Sequence, residues 1–171
     1  MSYSHTSLTS RASINGHPIH PMLIAFPIAF LVGTLASDAA FWWTADPFWA
    51  RASLWLAGAG LVMGLLAAVF GLVDFIAIRQ VHSMTAGWVH FLGNAVALLL
   101  TLWNVLHRLG DPVAGVLPLG IILSAIVVAI LGVTGWLGGE LSYRHRVGVI
   151  GATAEESREH AGDDYALHPR R

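Results

Sequence analysis

The sequence predicts an all-α integral membrane protein, an antiparallel four-helix bundle with up-down-up-down topology. Apolar residues make up 56% of its 171 residues and charged residues only 11%, which is typical of chains that lie in lipid. Four segments are long and apolar enough to cross a hydrocarbon layer of about 30 Å, which takes roughly 20 helical residues. These segments are residues 21–43, 52–78, 85–106 and 114–141. The connectors between them are short, so we expect consecutive helices to pack side by side.

The first helix follows a motif in which two histidines alternate with prolines, His17-Pro18-Ile19-His20-Pro21. A proline disfavours helix at the residue before it, so both histidines are expected in extended or polyproline II backbone. With about three residues per turn, that backbone would project both rings to one side. Pro21 would then open the helix. We therefore expect an N-terminal segment, residues 1–20, ahead of a transmembrane domain that covers residues 21–147.

The other three helices each carry a stripe of small residues that leads to a polar side chain. Such stripes allow helices to approach closely in lipid, or leave a slot for a flat macrocycle, and the sequence leaves both open. In the second helix the stripe ends at Asp74, in the third it includes His90 and Asn94, and in the fourth it precedes His145. The small residues are Gly60, Gly64, Ala67 and Gly71, then Ala86, Gly93 and Ala97, then Gly135, Gly138 and Gly139.

The charged residues give an orientation for the bundle. Arginines favour the cytoplasmic side of short loops, and four of them fall on one side against two on the other. The larger group is Arg11, Arg79, Arg144 and Arg146, and the smaller is Arg51 and Arg108. Both termini are therefore expected in the cytoplasm, with residues 148–171 forming a polar, acidic and disordered tail. Asp38 and His107 could mark a second site or a proton path, but exposure at the outer helix ends is the expected explanation.

Composition and missing motifs exclude several classes of function. The chain has no cysteine, which excludes disulfides, thiolate metal sites and the covalent attachment of c-type haem. It has no lysine and a formal net charge of −1, so a nucleic-acid partner is not expected. The sequence also lacks the motifs of hydrolases and phosphoryl-transfer enzymes. We therefore expect a binding or electron-transfer protein rather than another kind of enzyme.

Histidines accumulate at the cytoplasmic end of the predicted bundle. Five of them are expected there, namely His17, His20, His82, His90 and His145, against His107 alone at the other end. Two neutral imidazoles on facing helices suit the axial positions of haem b. His90 is the predicted ligand on the third helix, and His20 is the first choice for the other ligand. His17 and His145 compete with it, whereas His82 is expected to be a solvated loop residue.

Other polar residues near this end could support such a haem. A ligand histidine usually donates its outer ring N–H to a polar group, and Asp74, Glu140 or Asn94 could accept it. Guanidinium groups pair well with carboxylates, so the candidates to bind the haem propionates are Arg79, Arg144 and Arg146.

Two alternatives use the same residues differently. The histidines could bind or transport a Zn, Fe or Cu ion, because imidazole suits all three metals. The polar cluster could instead only tie helices together in a structural subunit of a membrane complex. Besides the lipid bilayer, the expected partners are a quinone or another membrane redox carrier, and a second copy or a larger complex.

Several motifs together resemble a known family. The runs GHPIHPMLIAFPIAF, GLVDF, HFLGN and GWLGGELSYRHRVGV are similar to a bacterial family of small four-helix membrane proteins, domain of unknown function 2231. The resemblance covers about residues 16–149 and implies four crossings of the bacterial inner membrane. Some relatives are joined to redox domains such as Rieske modules, which favours electron transfer by analogy. The layout of the histidines also resembles that of small b-type cytochromes.

Overall fold

A computed structural model describes residues 10–145 and residue 147 of the chain. Within these residues, four helical spans are long and apolar enough to cross a membrane. They are the first span, Ile19–Thr44, the second, Pro47–Ala77, the third, Thr85–Arg108, and the fourth, Val116–Arg144. The prediction of an all-α membrane bundle with four crossings is thereby confirmed. Arg146 and the predicted tail, residues 148–171, lie outside the described residues.

Two of the spans contain a break, and one connector is helical. The first span consists of Ile19–Leu23 and Ala25–Thr44. The fourth consists of a regular helix, Ile121–Gly139, between a kinked segment, Val116–Gly120, in which Leu117 has extended backbone angles, and a wide π-helical turn, Glu140–Arg144. A short helix, Arg79–Ser83, connects the second and third spans.

The first two spans are joined by only two residues at one end of the bundle, which we call the outer end, and the opposite end is called the inner end. Ala45 adopts a left-handed backbone conformation that ends the first span, with φ of 55°. The carboxylate of Asp46 then accepts a hydrogen bond of 2.9 Å from the backbone N–H of Phe48. Because Asp46 is an N-cap and Pro47 suits a first helical position, the second span begins five residues earlier than predicted.

The four spans form a square in which sequence neighbours are also spatial neighbours. The first span packs against the second and the fourth, and the third span packs against the same two. The first and third spans therefore lie diagonally opposite each other across the bundle interior. Large apolar side chains cover the outside, as lipid requires; Trp43 and Trp55, for example, are 92% and 80% exposed.

A short β-hairpin precedes the first span at the inner end. Its strands are Ser13–Ile14 and His17–Pro18, paired antiparallel. Asn15 and Gly16 form the turn with φ of 49° and 80°, the left-handed conformation that two-residue hairpin loops favour.

The hairpin changes the predicted start of the first helix. His20 lies in the first turn of the helix Ile19–Leu23 rather than in extended backbone, so the prediction that His17 and His20 project together is wrong. Pro21 is tolerated there because the first N–H groups of a helix have no acceptor within the helix.

The two halves of the bundle repeat each other. Four inward-facing positions of the first span, Pro27, Leu31, Thr34 and Asp38, are buried, and so are the positions seventy residues later, Ala97, Thr101, Asn104 and Arg108. The second and fourth spans correspond at an offset of sixty-seven residues, as with the buried pair Ala67 and Thr134. The bundle is therefore approximately two-fold symmetric about an axis along the membrane normal.

Candidate functional site

Two histidines from diagonally opposite spans meet in the bundle interior. His20 lies at the start of the first span and His90 in the inner part of the third, seventy residues later. Their ring centroids are 6.3 Å apart and their planes are inclined by 83°. The two residues therefore form a histidine pair that lies across the approximate two-fold axis.

Each ring of the histidine pair is fixed by a backbone carbonyl of a neighbouring span. His20 Nδ1 lies 2.8 Å from the carbonyl oxygen of Ala67 in the second span. His90 Nδ1 lies 2.8 Å from the carbonyl oxygen of Thr134 in the fourth span. A carbonyl oxygen can only accept, so each Nδ1 carries the proton and donates it. In the neutral rings each Nε2 is then left with a free lone pair, the form in which histidine binds a metal.

A glycine one helical turn beyond each of these carbonyls contacts the ring. A Cβ atom at Gly71 would lie 2.9 Å from the Cε1 and Nδ1 atoms of His20. A Cβ atom at Gly138 would lie 2.9 Å from the Cε1 atom of His90. Such distances are too short for an unchanged packing arrangement, so glycine at these two positions leaves the space in which the rings lie.

His90 has a second layer of support that His20 lacks. Asn94 donates from Nδ2 to the carbonyl oxygen of His90 at 2.7 Å. Its Oδ1 accepts a hydrogen bond of 3.2 Å from the hydroxyl of Thr134. Asn94 therefore links the helix that carries His90 to the residue whose carbonyl holds the ring, although it does not accept the ring N–H itself.

The structure brings together only two of the predicted inner-end histidines. His17 is exposed on the hairpin, and its Nδ1 lies 3.1 Å from the carbonyl oxygen of Asn15. His82 is exposed, with its ring 4.8 Å from that of Phe75. His145 follows the fourth span. The pKa of its ring lies below the usual value, mainly because of partial burial. The charge of Glu140 raises this pKa, and the charge of Arg144 lowers it.

The remaining predicted supporting residues contact groups other than the histidine pair. Asp74 accepts hydrogen bonds from the segment that precedes the hairpin. Glu140 forms an ion pair of 2.8 Å with Arg144, and the two side chains are 25% and 27% exposed. Arg79 is exposed at the inner end. Backbone carbonyls thus accept the ring N–H groups, a role that the sequence could not reveal because any residue supplies a carbonyl.

A second polar cluster lies near the outer end, where the sequence suggested exposed residues. Asp38 and Arg108 are both 0% exposed and form a two-pronged ion pair, with Nη1 to Oδ1 at 2.6 Å and Nη2 to Oδ2 at 2.8 Å. The expectation that Asp38 is exposed is therefore wrong, as is the placement of Arg108 among the loop charges. The physical reason is that each charge finds its partner on the diagonally opposite span.

Polar side chains from the second, third and fourth spans complete this outer cluster. Arg108 donates from Nε to Asn104 Oδ1 at 2.7 Å, and from Nη1 and Nη2 to Ser53 and Ser124 at 2.5 and 3.2 Å. All five N–H donors of the guanidinium thus have acceptors. Below the cluster is a cavity of about 10 Å³, roughly the space of one water molecule; its lining is Leu31, Thr34, Ala57, Thr101, Asn104, Ser124 and Val127.

Comparison with known proteins supports the resemblance found in the motifs. Residues 16–151 match the family described as predicted membrane protein, domain of unknown function 2231. The chain belongs to this family. The matched residues include all four spans and both members of the histidine pair. No curated protein and no solved structure matches the chain.

The outer cluster is the main feature that the sequence did not predict. Its one visible signal was that Asp38 and Arg108 lie within or at the end of apolar segments, seventy residues apart, as His20 and His90 do. Because ionisable groups at membrane depth are usually paired, recognition of this seventy-residue repeat in the sequence would have indicated that the two charges meet.

Proposed function

We propose that this protein is a b-type cytochrome of the membrane, in which His20 and His90 are the two axial ligands of one haem and which transfers single electrons. The observation that carries the proposal is the geometry of the histidine pair. Two imidazoles that bind one metal ion from opposite sides through Nε2 have ring centroids about 6 Å apart. Each metal–nitrogen bond spans about 2 Å, and each nitrogen lies about 1 Å from its ring centre. The observed separation is 6.3 Å.

The hydrogen bonds of the pair favour the same function. Both rings have Nδ1 fixed to a carbonyl, at 2.8 Å in each case, which orients the rings and increases the basicity of Nε2. Each ring lies directly against a glycine, Gly71 or Gly138, where a Cβ atom would lie 2.9 Å from a ring atom. Two oriented neutral imidazoles in an apolar bundle match the axial ligand set of a low-spin haem.

The number of protein ligands distinguishes haem from a bare metal ion. Among residues 10–145 and 147, no group of three or more His, Asp or Glu residues is arranged to hold a metal. A Zn or Cu ion is usually held by three or four protein ligands. A porphyrin supplies four nitrogens of its own, so two histidines complete its iron. The pair therefore favours haem over the alternative of divalent-metal transport.

The chain's own residues would determine how such a haem works. Haem supplies a reversible one-electron couple of iron, and the protein supplies the ligands, the low dielectric and the position in the membrane. The pair lies near the inner end of the spans, within reach of a redox partner there. We propose a quinone or another membrane redox carrier as that partner.

We further propose the bacterial inner membrane as the location, with both termini in the cytoplasm. The arginine bias that suggested this orientation becomes stronger when Arg108 is removed from the count, because its charge is paired inside the bundle. Among the described residues, Arg51 then remains at the outer end, against Arg11, Arg79 and Arg144 at the inner end.

The test is a reduced-minus-oxidised absorption spectrum of the protein purified in detergent from cells supplied with a haem precursor. We expect sharp bands of a six-coordinate haem, which are lost in His90→Ala and in His20→Ala. His82→Ala is the matched control, because it removes an exposed histidine at the same end and should leave the spectrum unchanged.

Two results would contradict the proposal. One is a pure, folded protein that takes up no haem when reconstituted with hemin. The other is full haem occupancy with an unchanged spectrum in both His20→Ala and His90→Ala. Elemental analysis of the same preparations would then decide for or against a bound Zn, Fe or Cu ion.

A further inference from the structure

The carboxylate of Asp74 holds the segment that precedes the hairpin. Its Oδ1 accepts hydrogen bonds from the backbone N–H groups of Arg11 and Ala12 at 2.9 and 3.2 Å. The hydroxyl of Ser10 lies 2.8 and 2.7 Å from Oδ1 and Oδ2, and Ser10 is only 4% exposed. One side chain of the second span thus binds three consecutive residues of the N-terminal segment.

This attachment is connected to His20 by a short path of backbone hydrogen bonds. The backbone N–H of Ile19 donates to the carbonyl of Ala12 at 2.9 Å. Ser13 pairs with Pro18 in the hairpin. The chain therefore turns back after Ala12, which is bound to Asp74, and Ile19, immediately before His20, hydrogen-bonds to Ala12. The position of the first helical turn follows from the position of Ala12.

The local sequence does little to fix the start of the first span. Its N-cap is Pro18, which makes no side-chain capping bond, and its first helical piece contains only five residues. A two-stranded hairpin is marginally stable by itself, and an isolated helix of one turn is not stable in water. The hydrogen bonds to Asp74 therefore supply order that the local sequence lacks.

Asp74 and the carbonyl that holds His20 lie on one face of the second span. Ala67, Gly71 and Asp74 follow the spacing i, i+4 and i+7, which places them in a row along a helix. The N-terminal segment thus contacts this row at three successive levels, through His20 Nδ1 on Ala67, the His20 ring on Gly71, and residues 10–12 on Asp74.

We infer that Asp74 is a positioning residue for His20, which fixes the N-terminal segment so that the imidazole is held with Nδ1 on the Ala67 carbonyl and Nε2 free for a ligand. The inference rests on the proposed function only where it concerns haem. Without the carboxylate, the first turn moves and His20 loses its fixed orientation. His90, held by the fourth span, keeps its own.

The first test needs no haem. Protein labelled with ¹⁵N-histidine reports the protonated nitrogen of each ring by NMR, and His20→Gln assigns the signal of His20. We expect a proton fixed on Nδ1 in the unmodified protein. In Asp74→Leu the His20 signal should change to that of a ring exchanging between both protonated forms, and the His90 signal should stay unchanged. Asp74→Glu, which keeps the acceptors, should restore part of the original signal.

The matched control is Asp111→Leu. Like Asp74, Asp111 accepts two backbone N–H groups, those of Val113 and Ala114 at 2.9 and 3.1 Å, but it lies in the connector at the outer end. It should leave both histidine signals unchanged. A His20 signal that is unaffected by Asp74→Leu, or equally affected by Asp111→Leu, would overturn the inference whether or not the protein binds haem.

The second test uses the haem-loaded protein and carbon monoxide. A ferrous haem with two histidine ligands binds carbon monoxide poorly, whereas loss of one ligand opens a coordination position. Asp74→Leu should increase the extent of carbon monoxide binding at least several-fold, approaching that of His20→Ala. Carbon monoxide binding at the level of the unmodified protein would overturn the positioning role. If neither the unmodified protein nor any variant contained haem, the proposed function would be refuted. The NMR result alone would then decide whether Asp74 positions His20.

Discussion

At both ends of the bundle, residues at equivalent positions of the two halves meet, but their side chains interact in different ways at the two ends. At the inner end His20 and His90 meet, and eighteen residues further along the same spans Asp38 and Arg108 meet. Each histidine donates a hydrogen bond from Nδ1 to a backbone carbonyl, and the lone pair of its Nε2 remains free. The aspartate and arginine bind each other and the side chains around them, and no N–H group of Arg108 remains for another ligand.

The contrast shows that one approximately symmetric scaffold can hold two residues that each keep a nitrogen lone pair free, and two residues that neutralise each other. Identical residues related by a two-fold axis can share a ligand that lies on the axis. Opposite charges in the same relation satisfy each other and connect all four spans. An apolar layer that contains Leu31, Ala97 and Val127 separates the two ends, so each can be changed with little direct effect on the other.

The largest effect is expected at the outer end. Asp38→Leu would leave the guanidinium of Arg108 buried without a counter-charge, which costs about 3–5 kcal/mol of unfolding free energy. Equilibrium unfolding in mixed detergent micelles, followed by circular dichroism, measures this loss. The double variant Asp38→Leu with Arg108→Met should recover most of the lost stability, because an apolar pair can replace a buried ion pair.

The matched control for this prediction is the ion pair Glu140–Arg144, whose side chains are 25% and 27% exposed. Arg144→Met should cost no more than about 1 kcal/mol, because solvent screens partly exposed pairs. Equal losses in Asp38→Leu and Arg144→Met would show that the outer cluster does not hold the spans together.

A smaller effect is expected from crowding the histidine pair. Gly71→Ala and Gly138→Ala each place a Cβ 2.9 Å from a ring atom, and such overpacking typically costs about 1–3 kcal/mol. Because the ring can move away from the added methyl group in the haem-free protein but would have to return to bind iron, hemin titration should show affinity lower by roughly 5- to 150-fold. Because the halves are equivalent, the two variants should lose similar amounts.

Gly135→Ala is the control for the glycine variants, since a Cβ there would meet nothing within 4 Å. It should leave hemin affinity unchanged. If all three glycine variants lost affinity equally, the effect would belong to the helices in general and not to the space beside the rings.

The smallest effect is expected where the two halves differ at the inner end. Thr134→Val keeps the carbonyl that holds His90 but removes the hydroxyl that donates to Asn94. The loss of one buried hydrogen bond costs about 1 kcal/mol, so thermal unfolding should occur at a slightly lower temperature while hemin affinity stays within a few-fold. A large loss of hemin affinity would show that Asn94 and Thr134 orient the ring through their side chains.

The fold could be predicted from the sequence because composition and segment length determine it in lipid. His20 and His90 were predicted as a pair because both lie near one end of spans that run in the same direction. The orientation of their rings could not be predicted, since it depends on the carbonyls of Ala67 and Thr134 and on a helix that starts at Ile19. The outer ion pair was missed because hydropathy places Arg108 at a helix end without showing which way it faces.

A ligand shared by His20 and His90 is the central proposal for this protein, and electron paramagnetic resonance of the oxidised, haem-loaded protein can detect it. If both rings bind one iron, their inclination of 83° would leave the two iron orbitals that interact with the imidazoles nearly equal in energy. We therefore predict one strongly anisotropic low-spin ferric signal, at one haem per chain, which disappears in His20→Ala and in His90→Ala. A high-spin signal, or a low-spin signal that survives both substitutions, would contradict it.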